Sequence, residues 1–235
     1  MIPASVRELW TKFWMRQAGL SHYGRFATRL ATVFAPPYKA RKHLRFYNPQ
    51  GYISPKATIY HDHLKLGRHV FIGDDVTIFE GEDGGAVEIG DMANLWGQSL
   101  LETGRGGSIT IGPDARVNTG VQLVSYVAPI IIGRDVGLSS YSLLYSYRHG
   151  MAAGKPYMEL PLESNGPIII EDHVWIGVGT IVTSGVRIGK HAIVAAGSVV
   201  TQDIPEGAIA MGVPAKVVKM RSDLSPDRAK LVARF

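Results

Sequence analysis

Residues 167–204 read PIIIEDHVWIGVGTIVTSGVRIGKHAIVAAGSVVTQDI. An aliphatic side chain returns in them at every sixth position, at Ile170, Ile176, Val182, Ile188, Val194 and Val200. A second set of small or β-branched residues follows each of these by four positions, at Val174, Thr180, Val186, Ala192, Ser198 and Ile204. A period of six fits neither a helix of 3.6 residues per turn nor a strand that alternates every two residues.

A six-residue period predicts a three-sided coil. Each hexapeptide supplies one short strand and one turn, so three of them close a coil of about 18 residues. Stacked coils share backbone hydrogen bonds at a spacing of about 4.8 Å. The aliphatic residues then point inward and form one continuous core, and the 27 glycines agree with many turns. We therefore predict an all-β fold, a parallel β-helix, over residues 51–219.

Interrupted copies of the repeat lie upstream. The aliphatic positions Ile89, Ile111, Ile132 and Ile170 are separated by 22, 21 and 38 residues, and 18 more lead to Ile188. Spacings of 18 to 22 correspond to one coil with a small bulge. The spacing of 38 fits two coils, or one coil with a long excursion. We favour the second interpretation and place the excursion at residues 145–167, because long loops in compact domains are usually functional or disordered.

The two ends of the chain differ in character from the repeat. Residues 1–50 predict a basic, amphipathic helical arm, with nine Lys and Arg residues against the single acid Glu8. Three interpretations of the arm stay open: a cap or subunit contact at the first coil, peripheral docking on an anionic membrane surface, and nucleic-acid binding, which no recognition motif supports. Residues 220–235 predict a C-terminal helix that caps the last coil.

The composition excludes several classes of protein. The chain has no cysteine, which excludes disulfides, thiolate zinc sites and a cysteine nucleophile. No apolar run reaches about 18 residues, so we expect no membrane-spanning helix. The N-terminus lacks the pattern of a secretory signal. We therefore expect a cytoplasmic protein that touches the inner face of the membrane only through its arm, if at all.

The run from Pro167 to Lys219 resembles the bacterial transferase hexapeptide family, in particular Val174-Trp-Ile-Gly177 and Gly212-Val-Pro-Ala-Lys216. The resemblance covers residues 53–219. It implies the left hand of the coil, which periodicity alone does not show and which opposes the usual rule for parallel connections. It also implies acetyl-CoA as the acyl donor, a glycan acceptor and a homotrimer with active sites between neighbouring subunits. We expect no metal, because the histidine spacings offer no complete ligand set.

One of the eight histidines has a distinctive place. His149 lies at the start of the excursion, 18 residues before Pro167, and in relatives a histidine at this place is the catalytic base. A neutral imidazole can take the proton of a sugar hydroxyl as its oxygen attacks a thioester, which contributes roughly 10²–10⁴-fold. The resemblance therefore implies that His149 is the general base. The alternative is a loop histidine without a catalytic role.

The resemblance also suggests residues that bind the two substrates. Asn118 resembles an asparagine that helps to hold the acceptor, although a turn asparagine is an equal alternative. Tyr147 and Arg148, beside the base, are further candidates for the acceptor. The residues expected to contact the cofactor are Trp175, Gly177, Ala195, Gly197, Ser198, Lys216 and Lys219.

Backbone N–H groups could stabilise the oxyanion formed in the reaction. The candidates are Gly137, Ser139 and Ser140, and the sequence does not choose among them.

The remaining histidines favour no site. His69, His173 and His191 each follow an inward aliphatic residue by three positions, so we expect them at solvated corners. His61 and His63 form a His-x-His pair, but no third ligand accompanies them at a telling spacing. No His-x4-His pair occurs among coil positions, which disfavours the zinc carbonic anhydrases of this fold.

Together these features predict an acetyl-CoA-dependent O-acyltransferase of polysaccharide or glycolipid biosynthesis that transfers the acetyl group directly. Two alternatives remain. The first is N-acetylation of an amino sugar or nucleotide sugar. The second is a β-helix that has lost catalysis and serves as a binding or scaffold protein.

Overall fold

In the computed structural model, which describes residues 2–223, the chain winds into a three-sided parallel β-helix of about seven coils. Each coil contributes one short strand to each of three faces. The first face holds Tyr52–Ile53, Phe71–Ile72, Asn94–Leu95, Arg116–Val117, Gly137–Leu138, Trp175–Ile176, Ile193–Val194, Ala208–Gly212 and Ala215–Met220. The second holds Thr58–Tyr60, Thr77–Glu80, Leu100–Thr103, Gln122–Ser125, Leu143–Tyr145, Ile181–Thr183 and Val199–Val200. The third holds Leu64–Leu66, Val87–Ile89, Ile109–Ile111, Ile130–Ile132, Ile168–Ile170 and Arg187–Ile188.

The core is the aliphatic column that the repeat predicts. Both six-residue sets in residues 170–204 are buried, so the predicted inward positions are confirmed. Strands within each face pair in parallel, and Ala215–Met220 closes the first face as an antiparallel strand. Burial of apolar area contributes roughly 25 cal/mol per Å², while the coil-to-coil ladder satisfies the backbone polar groups.

Three columns of turns join the faces. We name the turns between the first and second faces the first corner, those between the second and third faces the second corner, and those between the third and first faces the third corner. The third corner has a left-handed residue in each turn, at His69, Met92, Asp114, Asp135, His173 and His191. The corner positions predicted for three histidines are therefore confirmed, and the rings of His173 and His191 stack at 4.9 Å.

The excursion interrupts one coil. Ile130–Ile132 pairs directly with Ile168–Ile170, so the spacing of 38 residues is a single coil with an excursion, as predicted. The excursion departs from the second corner. It contains an antiparallel ribbon of Arg148–His149 and Leu162–Glu163, with a 3-10 turn at Tyr157–Glu159.

The N-terminal arm consists of helices α1 (Ala4–Met15) and α2 (His22–Ala31) and a 3-10 segment (Tyr38–Tyr47). It packs on the first coils through a small cluster of buried residues: Met15, Ala18, Ala31, Leu44, Tyr52, Phe71 and Trp96. None of the described helices is long and apolar enough to cross a bilayer. At the other end, a 3-10 turn at Arg221–Asp223 follows the last strand. A C-terminal helix is predicted at residues 220–235, but Met220 still belongs to the last strand. Residues 224–235 lie outside the described residues.

Candidate functional site

The first corner is a regular backbone ladder from Asp74 to Gly197. In successive coils, the N–H groups of Gln98, Gly120, Tyr141, Gly179 and Gly197 donate to the carbonyls of Asp74, Gly97, Thr119, Ser140 and Val178. Toward its C-terminal end the corner carries small residues. A Cβ built on Gly179 or Gly197 would meet nothing within 4 Å, so the positive φ of the turn, +66° and +69°, and not crowding, calls for glycine there. The corner is consequently open to an extended ligand.

Asn118 lies in the middle of the first corner, half-buried. Its Nδ2 donates to the carbonyl of Leu138 at 2.9 Å, which leaves Oδ1 as the atom available to a ligand. Asn118 does not have a positive φ, and Gly120 supplies the left-handed residue of this turn. The interpretation that Asn118 serves an unusual backbone angle is therefore wrong.

Trp175 is tied to the serine turn of the preceding coil. The half-exposed Trp175 donates through Nε1 to Ser139 Oγ at 3.0 Å. The N–H groups of Gly137 and Ser139 donate to coil carbonyls, each at 2.9 Å. The Ser140 N–H has no such partner within the described residues. Of the three predicted oxyanion donors, the structure leaves Ser140 available.

The small residues expected to contact the cofactor lie at the C-terminal end of the first corner. Gly177 and Ala195 stand one coil apart at the first corner, joined by the ladder from Gly177 N to Val194 O and from Ala195 N to Ala210 O. Ser198 is buried, donates to the Ala195 carbonyl at 2.7 Å and accepts from Gly212 N at 3.2 Å, so it holds the corner together from inside.

Lys216 and Lys219 are exposed on the last strand. The Nζ of Lys216 donates to Gln202 Oε1 at 3.1 Å, which is a surface contact.

A cavity of about 350 Å³ opens at the arm end of the first corner. Tyr38 and Arg41 of the arm face Asp74, Trp96 and Gln98 of the coils across it, among other lining residues. Thr119, next to Asn118, also lines the cavity. Sequence reasoning missed this cavity, because its walls come from segments that no spacing connects.

The cavity floor contains a buried phenol. Tyr52 is fully buried, and its hydroxyl lies beside Arg41 and Ser54 without reaching hydrogen-bond geometry with either. Burial raises the pKa of Tyr52, and the Arg41 guanidinium opposes that rise. The hydroxyl therefore stays protonated and can donate.

His149 lies elsewhere, on the excursion ribbon at the second corner. Its ring packs edge-on against Tyr157, with the centroids 5.1 Å apart. Its Nδ1 is buried and has no hydrogen-bond partner within the described residues. The neighbouring Arg148 donates to Asn165 Oδ1 at 2.9 Å and to Glu163 Oε2 at 3.4 Å, which ties the two strands of the ribbon together. No sequence pattern links His149 to Tyr157, or Arg148 to Glu163 and Asn165, so these partners could not be predicted.

Tyrosines and a groove underlie the ribbon. Tyr147 packs against Tyr126 at 5.0 Å and Tyr145 at 6.1 Å, and Tyr126 donates to Glu102 at 2.7 Å. Burial, and then the Glu102 carboxylate, raises the pKa of Tyr126 and Tyr147, so both phenols stay neutral. A groove of about 670 Å³ runs beside Tyr126, and Pro161 and Leu162 of the excursion form one of its walls.

The His-x-His pair lies lower on the second corner and has protein partners. His61 Nδ1 is 3.2 Å and His63 Nδ1 is 2.7 Å from the Glu80 carboxylate. His61 Nε2 is also 3.0 Å from Thr103 Oγ1. Among residues 2–223 no group of three or more side chains is arranged to hold a metal ion.

The structure thus brings some predicted site residues together and keeps others apart. Asn118 and the small residues share the first corner, and Trp175 reaches it from the first face through Ser139. Tyr147, Arg148 and His149 instead lie at the second corner. Within one coil the strand Leu143–Tyr145 separates the two corners, a distance of about 10 Å. One chain alone does not place the histidine against the open corner.

The repeat is recognised by a family model. The model for the hexapeptide repeat of succinyl-transferase matches residues 167–202. A 2,3,4,5-tetrahydropyridine-2,6-dicarboxylate N-acetyltransferase of Staphylococcus aureus (strain JH9) is 51% identical over 70 residues, which are 30% of this chain and 29% of the relative. The chain therefore matches less than a third of the length of that relative.

Solved structures of similar shape cover more of the chain. The polySia-specific acetyltransferase NeuO aligns with a TM-score of 0.55 at 19% identity, over 76% of this chain and 94% of NeuO. A hexapeptide transferase family protein from Anaplasma phagocytophilum gives 0.55 at 17%, over 76% and 91%. A mutant of AntD, an N-acyltransferase from Bacillus cereus, in complex with dTDP-4-amino-4,6-dideoxyglucose and coenzyme A, gives 0.53 at 21%, over 78% and 85%. The predicted left-handed parallel β-helix is confirmed.

Proposed function

The chain is a hexapeptide-repeat protein with the left-handed β-helix fold, and we propose that it transfers an acetyl group from acetyl-CoA to a hydroxyl of a sugar. The observation that carries the proposal is the excursion that interrupts the coil at residues 145–167. Its ribbon holds His149, whose Nδ1 is buried. The acetyltransferase name of the Staphylococcus relative supports acyl transfer, since its 51% identity is high over the part of the chain that matches.

The proposed active site needs two copies of the chain. His149 and the open corner lie on different edges of the prism, so the histidine can meet such a corner only on a neighbouring copy. A closed ring repeats one such contact around its axis, and every copy then contributes to two sites. We propose a homotrimer, because a three-sided prism packs side by side in threes around an axis.

In the proposed site, His149 of one copy accepts the proton of the acceptor hydroxyl. The oxygen attacks the thioester carbonyl carbon, the new C–O bond forms, and the C–S bond breaks as the tetrahedral intermediate collapses. The imidazolium then returns the proton to the leaving thiolate of CoA. The Ser140 N–H of the other copy stabilises the oxyanion, and Asn118 Oδ1 accepts a hydrogen bond from the acceptor. No covalent enzyme intermediate is required.

Acetyl-CoA is proposed to lie along the C-terminal part of the first corner. Gly197 leaves open space there and Ala195 adds only a methyl group, so a thin pantetheine arm can approach the backbone. Gly177 is buried, and its lack of a side chain lets the next coil pack closely behind this track. Trp175, held by Ser139, would flank the thioester. Lys216, Lys219 and the buried Ser198, which fixes the corner, complete the proposed cofactor site, with the lysines facing phosphates.

The sugar is proposed to occupy the cavity at the arm end of the same corner. Its volume of about 350 Å³ lies within the usual range of small-molecule sites, roughly 300–1,000 Å³. Aromatic rings and polar groups line it together, as recognition of a sugar requires. Tyr147 and Arg148 of the neighbouring copy would approach from the side of His149. A glycan or glycolipid intermediate suits a cavity that is open along the corner.

N-acetylation of an amino sugar is the second candidate, and one observation favours it. The Staphylococcus relative, which matches 70 residues of this chain, is an N-acetyltransferase. The two reactions differ in the acceptor atom and share the donor and the fold. Products therefore distinguish them, whereas CoA release does not.

The deciding experiment incubates the full chain with acetyl-CoA and two matched panels. One panel holds neutral sugars and nucleotide sugars with hydroxyls only, and the other their amino-sugar counterparts. We expect CoA release above the hydrolytic background with the first panel and a mass increase of one acetyl group that mild alkali removes. An alkali-stable product from the second panel only would establish N-acetylation. No CoA binding and no product from either panel would favour a scaffold protein.

A further inference from the structure

The outer surface of the arm is unusually apolar. α2 directs small residues toward the molecule, at Gly24, Ala27, Thr28 and Ala31, and α1 buries Thr11 and the larger Met15. Most of the large apolar side chains face outward, among them Leu9 at 67%, Phe13 at 58% and Val33 at 59% exposure. An amphipathic helix that merely caps a core does the opposite, with its large apolar residues inside. Capping therefore does not explain these side chains.

Four aromatic side chains of the arm form one cluster, in which Trp10, Phe13 and Phe34 are exposed and Trp14 is half-buried against the core. We name this cluster, together with the exposed side chains of Val6, Leu9, Phe26 and Val33, the arm patch. Trp10 packs against Phe34 at 6.1 Å and Trp14 at 5.8 Å, and Trp14 against Phe13 at 5.2 Å. Trp10 Nε1 also donates to the carbonyl of Leu30 at 2.8 Å, which fixes α1 beside α2. Continuous apolar patches, unlike scattered residues, mark interaction surfaces.

The charge around the arm patch is positive and unneutralised. Arg7, Arg16 and Arg29 have no carboxylate within ion-pair distance in the part of the chain that the structure describes, and Glu8 pairs with Lys12 at 2.6 Å. Nine Lys and Arg residues against one acid make residues 1–50 strongly basic. Two arms that met face to face would bring like charges together. A surface of anionic groups with an apolar layer beneath it is complementary to both features.

We propose that the arm patch docks on an anionic lipid bilayer, with α1 and α2 lying in the plane of the headgroups. Leu9, Trp10 and Phe13 enter the boundary between headgroups and acyl chains, where aromatic side chains are favoured. The free arginines contact lipid phosphates. Neither step depends on acyl transfer, so this inference goes beyond the proposed function.

Vesicle sedimentation with the full chain tests the proposal. The probes are vesicles of phosphatidylcholine alone and of phosphatidylcholine with phosphatidylglycerol at three to one. We expect binding to the mixed vesicles at least tenfold tighter than to the neutral ones, and a decline as salt rises to about 0.5 M, because salt screens the arginines. Equal binding to both compositions, or none to either, would overturn the proposal.

Variants locate the contact. Leu9→Ser with Phe13→Ser should weaken binding to mixed vesicles at least tenfold, and Arg16→Gln with Arg29→Gln should abolish the preference for anionic lipid. Tyr60→Ser with Phe79→Ser, a matched pair of exposed apolar residues on the coil, should bind as wild type. Because Leu9 and Phe13 are exposed, their variant is expected to melt with wild type, which circular dichroism checks.

Two outcomes would contradict the proposal in informative ways. Unchanged vesicle binding by the Leu9/Phe13 variant would place the contact elsewhere. A wild type that ignores vesicles, combined with a smaller assembly mass for that variant, would assign the arm patch to contacts between copies of the chain. Transfer to a free sugar should be unaffected by the variant, so failure here and failure of the proposed reaction are distinguishable.

Discussion

The first and second corners are built from the same repeat, but they differ in the length of their turns and in the contacts that hold them. The first corner has four residues between strands in every coil from Gly73 to Ser198, and it is held by backbone hydrogen bonds. The second corner changes length from coil to coil and is crowded with side-chain contacts. Glu80 accepts from His63, Arg105 pairs with Asp83, and Tyr126 donates to Glu102.

All the irregular spacing of the repeat lies at the second corner. The extra residues of the coils at Ile89 and Ile111 follow the strands Thr77–Glu80 and Leu100–Thr103, and the excursion follows Leu143–Tyr145. A regular corner gives an open track for an extended ligand, whereas an irregular corner can extend a side chain away from the prism. Neither corner alone is a complete site, which is why the proposed reaction requires both, from different copies.

Of the substitutions proposed as tests, removal of the His149 imidazole should lower the rate of acetyl transfer most. We expect His149→Ala to lower the rate of acetyl transfer roughly 10²-fold or more, because the acceptor hydroxyl then loses its general base. Stopped or coupled assays of CoA thiol release give the rate, and light scattering the assembly mass, which should not change.

The matched control is His173→Ala, since His173 is an exposed histidine of the third corner, stacked on His191 and not part of the ribbon. It should keep wild-type activity. If His149→Ala were as active as this control, His149 would not be the general base. The proposal that the second corner supplies a catalytic group would then be wrong.

Mixing two inactive variants should sharpen the comparison. His149→Ala damages only the second corner, and Ala195→Trp, which fills the open track, damages only the first. When equal amounts are denatured and refolded together, a site is intact if one neighbour supplies the histidine and the other the track. Random assembly makes about a quarter of the sites intact, so activity should recover to about a quarter of wild type.

The control is a mixture of the two variants that is never unfolded together. It should stay as inactive as its components. If the refolded mixture also stays inactive, the histidine and the track of each site belong to one chain, and the trimer proposal is wrong.

The sequence predicts those features of the fold and of the candidate site that depend on the local repeat, and not those that depend on contacts between distant segments. Burial repeats every six residues, so the two inward sets and the place of the excursion can be predicted from Ile170 and its equivalents. The direction of the arm helices cannot, because Ala27 and Ala31 pack inward as readily as Phe26 would. The cavity between Arg41 and Trp96, and the partners of Arg148, depend on tertiary contacts between segments that carry no shared pattern.

The smallest expected effect is on the free energy of unfolding at acidic pH, to which titratable groups of the second corner contribute. Burial lowers the pKa of His61 from 6.5, and Glu80 opposes the shift. The folded chain therefore binds this proton less readily than the unfolded chain. Its contribution to the free energy of unfolding is complete above about pH 6.5 and declines below it.

Glu80 adds a second step at lower pH. Burial acts against it, but hydrogen bonds from His63 and the Asp62 N–H lower the pKa of Glu80 below 4.5, so its contribution is lost as pH falls through the folded value. In urea titrations between pH 7 and 5.5, we expect His61→Gln to flatten the decline of wild type. Glu80→Gln should steepen it, because the carboxylate no longer favours the charged imidazole. Parallel slopes for all three proteins would show that His61 does not report on this corner.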